Sequence, residues 1–152
     1  MHTKPLIFIG GESLIDTIQT VGPSGIVTSA HNLGGSPFND ALALARQGHR
    51  PHYITPISTD AFCQQLATHL IENGAVVASA RNDAPMTQAI VSLDQGIPNY
   101  DFLRNDTAER RVTLSSIRSD TPEATSHFHV GSLAFVGGAD AQAWEFGFVE
   151  AY

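Results

Sequence analysis

Residues 34–48 read GGSPFNDALALARQG, and this stretch predicts a glycine turn that runs directly into an amphipathic helix. Ser36 can cap the helix, and Pro37 suits its first position, where a missing N–H costs nothing. Gly48 is well placed to end the helix. The predicted buried face consists of Phe38, Ala41, Leu42 and Ala45.

Strand and helix patterns alternate on both sides of this helix. Strands are predicted at residues 5–11, 52–57, 76–79 and 128–133, and a helix at 140–152. Another helix begins near Thr59 or Asp60 and ends at Gly74. Its predicted buried face is Phe62, Leu66, Leu70 and Ile71. This alternation predicts an α/β fold built on a parallel sheet.

Two further segments, residues 13–20 and 86–104, are too polar for a sheet that is buried on both faces. Within the second, apolar stretches flank Asp94-Gln95-Gly96, which predicts a hairpin turn. We therefore expect a separate small sheet with one solvated face, formed by these two segments.

Composition narrows the classes of function. The chain has 152 residues, 42% of them hydrophobic, which fits a single folded domain. The net charge of −7, and arginines interleaved with acidic residues, argue against binding to nucleic acid. No apolar run is long enough to cross a membrane, and a single cysteine predicts a cytoplasmic location.

The chain stops at AQAWEFGFVEAY, residues 141–152, inside an apparent helix with no terminating signal. We therefore expect a cut chain.

Several residues together have the chemistry of a polyol site. Asp16 can accept hydrogen bonds from paired hydroxyls, and Arg104 supplies a cation. Gly34 and Gly35 allow close backbone approach at a helix N-terminus, and the amide of Asn39 can both donate and accept. The alternative is structural: the glycines form the turn, Asn39 caps the helix locally, and Asp16 is an exposed strand carboxylate.

Two other features have ordinary explanations. His127 and His129 share one strand face, but no third metal ligand accompanies them at a defined spacing, so no metal site is expected. Cys63 lies near a predicted helix start, where a thiol can be activated, but the absence of a motif favours a small packed residue.

Five stretches in order resemble the N-terminal half of the ribokinase-like (PfkB-type) carbohydrate kinases, and most closely fructokinases and 2-keto-3-deoxygluconate kinases. GGSPFNDALALARQG resembles the first family signature, and IFIGGESLIDTI (7–18) the first strand and the first lid strand. ITPISTDAF (54–62) is similar to the next strand and turn with its aspartate, Asp60. NYDFLRNDTAERR (99–111) resembles the lid hairpin, and HVGSLAF (129–135) the strand that follows.

The resemblance implies a ribokinase-like three-layer α/β sandwich, of which residues 1–152 are the N-terminal part, with a small lid of β-strands at 13–20 and 86–104. It implies that Asp16 and Asn39 bind sugar hydroxyls, that Gly34 and Gly35 shape the pocket, and that Arg104 holds a sugar oxygen or a carboxylate. Phe102 would line the lid. Ser58 and Cys63 replace glycines of the family pattern, which affects the local turn. Phe102 replaces a tyrosine of some keto-acid kinases, which favours fructose or a similar ketose.

The second family signature, which supplies the catalytic base, has no counterpart in the sequence. The base is expected beyond Tyr152, and ATP and Mg²⁺ are expected to act only in the full-length parent. We therefore expect the sugar-binding part of an ATP-dependent sugar kinase, inactive alone, that forms a homodimer through its lid strands. The alternatives are a non-catalytic sugar-binding or dimerising module, or an unrelated α/β protein that shares short motifs.

Overall fold

The computed structural model describes residues 5–94 and 97–151. The strands are β1 (Ile7–Gly10), β2 (Leu14–Val21), β3 (Val27–Gly34), β4 (His52–Tyr53), β5 (Val76–Val77), β6 (Thr87–Asp94), β7 (Ile97–Leu103) and β8 (His127–Val130). The helices are α1 (Ser36–Arg46), α2 (Ala61–Glu72), α3 (Leu114–Asp120) and α4 (Ala139–Glu150), with short 3₁₀ turns at Ala108–Arg110 and Leu133–Phe135.

A parallel sheet with strand order β5-β4-β1-β8 forms the centre of the fold. Successive side chains of a strand point to opposite faces, and β1 is buried on both. Ile7 and Ile9 pack in one cluster with residues of α1 and α2. Phe8 packs in a second cluster with Ile117 of α3 and Trp144 of α4. The predicted three-layer α/β arrangement is confirmed.

A second sheet has the strand order β3-β2-β6-β7 and contains both polar segments singled out in the sequence. β2 runs parallel to β6, whereas the β2–β3 and β6–β7 pairs are antiparallel. β7 is exposed along its whole length, and therefore on both faces, whereas one solvated face was expected. The predicted hairpin turn falls at Gln95 and Gly96, which lie outside the described residues.

Several segments were not predicted or were assigned wrong boundaries. β3 and α3 gave no clear sequence signal. The strand expected at 128–133 covers only His127–Val130, because the backbone N–H groups of Ser132 and Leu133 donate to the carboxylate of Glu12 instead of a neighbouring strand. The strands expected at 52–57 and 76–79 are reduced to two residues each. α4 begins at Ala139 and ends at Glu150.

Helix α1 buries the four predicted residues but has Gly35, not Ser36, as its N-cap. Helix α2 starts at the expected place, with the Asp60 carboxylate accepting from the backbone N–H of Cys63 at 2.7 Å. Its buried face differs from the prediction, since Phe62 and Ile71 are 40% and 58% exposed. Cys63 and Ala67 are buried in their place and belong to the cluster that contains Ile7 and Ile9 of β1.

Candidate functional site

The candidate site centres on Asp16, in the middle strands of the second sheet. The register places Asn32 of β3, Asp16 of β2, Ala89 of β6 and Phe102 of β7 in one row. Paired residues of adjacent strands point to the same face, so the Asp16 carboxylate and the Phe102 ring share a face. The two strands that carry them are about 10 Å apart, with the small side chain of Ala89 between.

Gly34 and Gly35 bring the backbone under this carboxylate. A Cβ atom on Gly34 would collide with Oδ2 of Asp16, so any larger residue there would displace the carboxylate from its position. Gly35 has a φ of 110°, and a Cβ on it would lie 2.5 Å from the carbonyl oxygen of Glu12. Since L-residues rarely adopt this φ, the second glycine is required by conformation and by space. The chain can therefore pass from β3 into α1 directly beside Asp16.

Burial raises the pKa of the half-buried Asp16 carboxyl above its ordinary value of 3.8. The cause is the desolvation of a charge that has no cation paired with it among the described residues.

Asn39 lies in the first turn of α1, where its backbone N–H donates to the carbonyl of Gly35 at 2.9 Å. Its side chain is exposed, and within residues 5–94 and 97–151 its amide makes no hydrogen bond. The helix also lacks a side-chain cap. Local capping by Asn39, the structural alternative, therefore finds no support, and the amide is available to a ligand.

Arg104 follows β7 directly and reaches the loop after β8. Its guanidinium donates to the carbonyl oxygens of Leu133 at 3.0 Å and Val136 at 3.4 Å. Its Nε is buried and has no hydrogen-bond partner among the described residues. Phe102, 40% exposed, stacks on Tyr100 with ring centroids 6.1 Å apart. The lid face therefore combines a carboxylate, an aromatic pair and, just past β7, a cation.

Sequence reasoning missed Glu12, which is 3% exposed and contacts the start of α1. Its carboxylate accepts from the backbone N–H of Ser36 at the start of α1, and from Ser132 and Leu133 after β8. The only sequence signal is an acidic residue directly after two glycines at the end of a buried strand. That signal does not distinguish a buried acceptor from a solvated turn residue.

A second missed group lies where the lid strands leave the body. The hydroxyl of Thr87, the first residue of β6, donates to the carboxyl of Glu109 and lies 3.1 Å from the Thr107 hydroxyl. Glu109 is 4% exposed, and burial raises its pKa. These contacts fix the base of β6 to the segment that follows β7.

The other sequence candidates have structural roles. Asp60 caps α2, and burial together with the Asp60 carboxylate raises the pKa of the Cys63 thiol, the opposite of activation. His127 and His129 are exposed, and His129 lies 3.0 Å from the Asp40 carboxylate. No group of three metal-ligating side chains occurs within the described ranges. No helix there is long and apolar enough to cross a membrane.

The chain is similar to known proteins in both sequence and structure. Probable fructokinase-4 of Arabidopsis thaliana is 30% identical over 139 residues, which is 88% of this chain and 43% of the relative. Fructokinase-2 of Solanum habrochaites is 31% identical over 137 residues, which is 86% of this chain and 42% of the relative. The chain thus spans about 43% of the length of the curated relatives it matches.

Solved structures also match nearly all of this chain and about half of their own length. The fructokinase from Xylella fastidiosa superposes with a TM-score of 0.87 at 25% identity, over 98% of this chain and 47% of that one. The Halothermothrix orenii fructokinase gives 0.80 at 22% identity, over 96% and 53%. This partial coverage agrees with the expected N-terminal half.

The model of the pfkB family carbohydrate kinases matches residues 7–146, nearly the whole chain. The family expected from the five sequence stretches is therefore confirmed, and this chain belongs to the pfkB family of carbohydrate kinases.

Proposed function

We propose that this chain is the sugar-binding part of an ATP-dependent sugar kinase, with fructose or a related ketose as substrate. The observation that carries the proposal is the carboxylate of Asp16 lying over Gly34 at the entry to α1, on the lid face that Phe102 shares. The combination of a carboxylate, here Asp16, and an exposed amide, here Asn39, suits adjacent sugar hydroxyls, which both donate and accept hydrogen bonds. The relatives named as fructokinases support fructose among ketoses.

In this proposal residues 1–152 form the N-terminal part of the kinase domain. The sheet β3-β2-β6-β7 is the lid over the sugar, with Asp16, Asn39 and Arg104 as ligands. Gly34 and Gly35 form the floor, and Phe102 forms one wall.

The start of α1 is a poor site for a phosphate group of ATP. The N-terminus of α1 is the natural phosphate site beside paired glycines, but the Glu12 carboxylate already accepts from the N–H of Ser36 there. A second anion at that point would be repelled. A fructokinase from Xylella fastidiosa has been solved with bound ATP, which supports ATP as the phosphate donor of the whole kinase. We assign ATP and Mg²⁺ to the parent alone. ATP use and a single free cysteine support a cytoplasmic location.

As the pH is lowered, fructose binding is expected to weaken at a higher pH than it would if Asp16 had the pKa of an ordinary aspartate. The pKa of Asp16 is raised, so its carboxylate takes up a proton while the pH is still above the usual value, and the site then loses an acceptor. Isothermal titration with fructose between pH 7 and pH 4 measures this loss. The Asp16→Asn variant, which has no such proton to gain, should bind weakly with little pH dependence. An affinity of the wild-type chain that stays constant down to pH 4 would remove Asp16 from the site.

The second candidate function, a dimerising module, is favoured by the exposed edge strand of the lid. β7 presents Ile97, Tyr100 and Leu103, each more than half exposed. An exposed apolar edge strand pairs readily with another chain. A homodimer through the lid strands is compatible with the kinase proposal and does not depend on catalysis.

Sedimentation velocity of the chain at increasing concentration is expected to show self-association. Ile97→Lys should move the equilibrium towards the monomer, because a charge would enter the paired edge. Ile71→Lys, on the exposed face of α2, is the matched control and should leave the monomer–dimer equilibrium unchanged. The outer edges of β3, β5 and β8, also unpaired within the described residues, are the competing contacts. Association that Ile97→Lys does not alter would contradict pairing through β7 and assign the contact to another edge. A monomer at every concentration would contradict self-association altogether.

A further inference from the structure

The carboxylate of Glu12 has no capacity left for chemistry of its own. Among the described residues, Oε1 accepts from the N–H of Ser36 at 3.3 Å and the hydroxyl of Ser132 at 2.8 Å. Oε2 accepts from the N–H groups of Ser132 and Leu133 at 2.9 Å and 3.0 Å. A carboxylate offers about four acceptor positions, and all are used. Glu12 is therefore a fixed anchor, unsuited to act as a base.

The anchor joins segments that are far apart in sequence. Ser36 opens α1, while Ser132 and Leu133 lie nearly a hundred residues further along, after β8. Hydrogen bonds from backbone N–H groups to a charged acceptor are the stronger kind. Because Glu12 is almost fully buried, they are not weakened by competition from water.

The anchored loop in turn holds Arg104. The peptide N–H of Leu133 donates to Glu12, and the carbonyl of the same residue accepts from Arg104 at 3.0 Å. The Val136 carbonyl, three residues further, accepts a second hydrogen bond at 3.4 Å. The direction of the guanidinium thus depends on a loop whose position depends on Glu12.

We propose that Glu12 is a positioning residue for the sugar site, acting on Arg104 through the 132–136 loop. The proposal rests on the proposed function insofar as Arg104 is taken as a sugar ligand. The link from Glu12 to Arg104 does not require a sugar and can be tested alone.

The first test uses the chain without sugar. In Glu12→Gln the side chain keeps its size but loses one acceptor oxygen and the charge. We expect faster hydrogen exchange of the Ser132 and Leu133 amides and a shifted Arg104 Nε–H resonance in ¹⁵N NMR spectra. Glu145→Gln, on the exposed face of α4, is the matched control and should change neither. Near-UV circular dichroism of Trp144 verifies that each variant is folded.

The second test is a double-mutant cycle on fructose affinity. Glu12→Gln is expected to weaken fructose binding about tenfold when Arg104 is intact, and much less when Arg104→Ala is already present. A purely structural Glu12 would weaken binding by the same factor in both backgrounds. Ser132→Ala removes only the hydroxyl bond and should show a smaller loss with the same dependence on Arg104. It carries the cycle if Glu12→Gln does not fold.

The two tests separate the two proposals. Absence of fructose binding in the wild-type chain would contradict the proposed function, while a response of the Arg104 resonance to Glu12→Gln would still support the link. An unchanged Arg104 resonance in folded Glu12→Gln, or equal losses in both backgrounds of the cycle, would overturn the positioning role.

Discussion

The pure 152-residue chain, incubated with ATP, Mg²⁺ and fructose, is expected to form no fructose phosphate. Phosphoryl transfer needs a base within hydrogen-bond reach of the attacking hydroxyl and groups that stabilise the charge of the transferred phosphoryl. Three carboxyl groups are near the candidate site. Glu12 accepts from four donors, and Asp16 binds the sugar hydroxyls in our proposal. Glu109 is 4% exposed at the base of β6, where one of its oxygens accepts from Thr87, so it is shielded from a sugar on the lid face. Loss of a general base costs a factor of about 10² to 10⁴, and loss of the groups that stabilise the phosphoryl charge adds a further factor.

Mass spectrometry of the sugar pool after a long incubation gives the most sensitive measurement. The Asp16→Asn chain, purified in the same way, is the control, since a contaminating host kinase would act equally in both preparations. Sugar phosphate that forms with the wild-type chain and disappears with Asp16→Asn would show that these residues suffice for catalysis, against our proposal.

Replacement of Trp144 by alanine is expected to have the largest effect on stability. The indole is 1% exposed and lies directly against Gly10, where a Cβ atom would collide with its ring. It belongs to the cluster between the central sheet and α3 and α4. Loss of a buried tryptophan combines lost apolar burial with a cavity and typically costs about 3–5 kcal/mol. That is a large share of the about 5–15 kcal/mol by which domains are stable.

Urea unfolding followed by far-UV circular dichroism measures the difference. Phe146→Ala, on the same helix but 56% exposed, is the matched control and should change the free energy of unfolding by about 0.5 kcal/mol or less. Equal losses for the two variants would mean that α4 does not pack on the sheet as described.

The parts of the fold that were predicted depend on local periodicity. Helix α1 was predicted from four apolar positions on one face. The division into two sheets was predicted because some strands are continuously apolar, whereas the segments at 13–20 and 86–104 are more polar. β3 was missed because Val27–Gly34 is exposed over most of its length and carries no alternating pattern. Its strand conformation comes from pairing with β2, a contact that local sequence does not encode. In α2, the pattern favoured the larger Phe62 and Ile71 over Cys63 and Ala67.

The residue types of the candidate site could be predicted from the sequence, but the strand register and the buried residues that hold them in place could not. A carboxylate, an amide, a cation and paired glycines can be recognised from sequence, as Asp16, Asn39, Arg104 and the two glycines were. The register that sets Asp16 over Gly34 and in line with Phe102 is a tertiary property. Glu12 and Glu109 resemble ordinary polar residues in the sequence, because only the folded chain shows that they are buried and which donors surround them.

The central claim is that this chain contains a sugar site built on Asp16. Isothermal titration of the wild-type chain and of Asp16→Asn with fructose at pH 7.5 tests it most directly. The account predicts saturable binding by the wild-type chain and about a hundredfold weaker binding by Asp16→Asn, the loss expected when a charged acceptor of two hydroxyl hydrogen bonds is removed. No saturable binding by the wild-type chain, or equal affinity of the two chains, would contradict it.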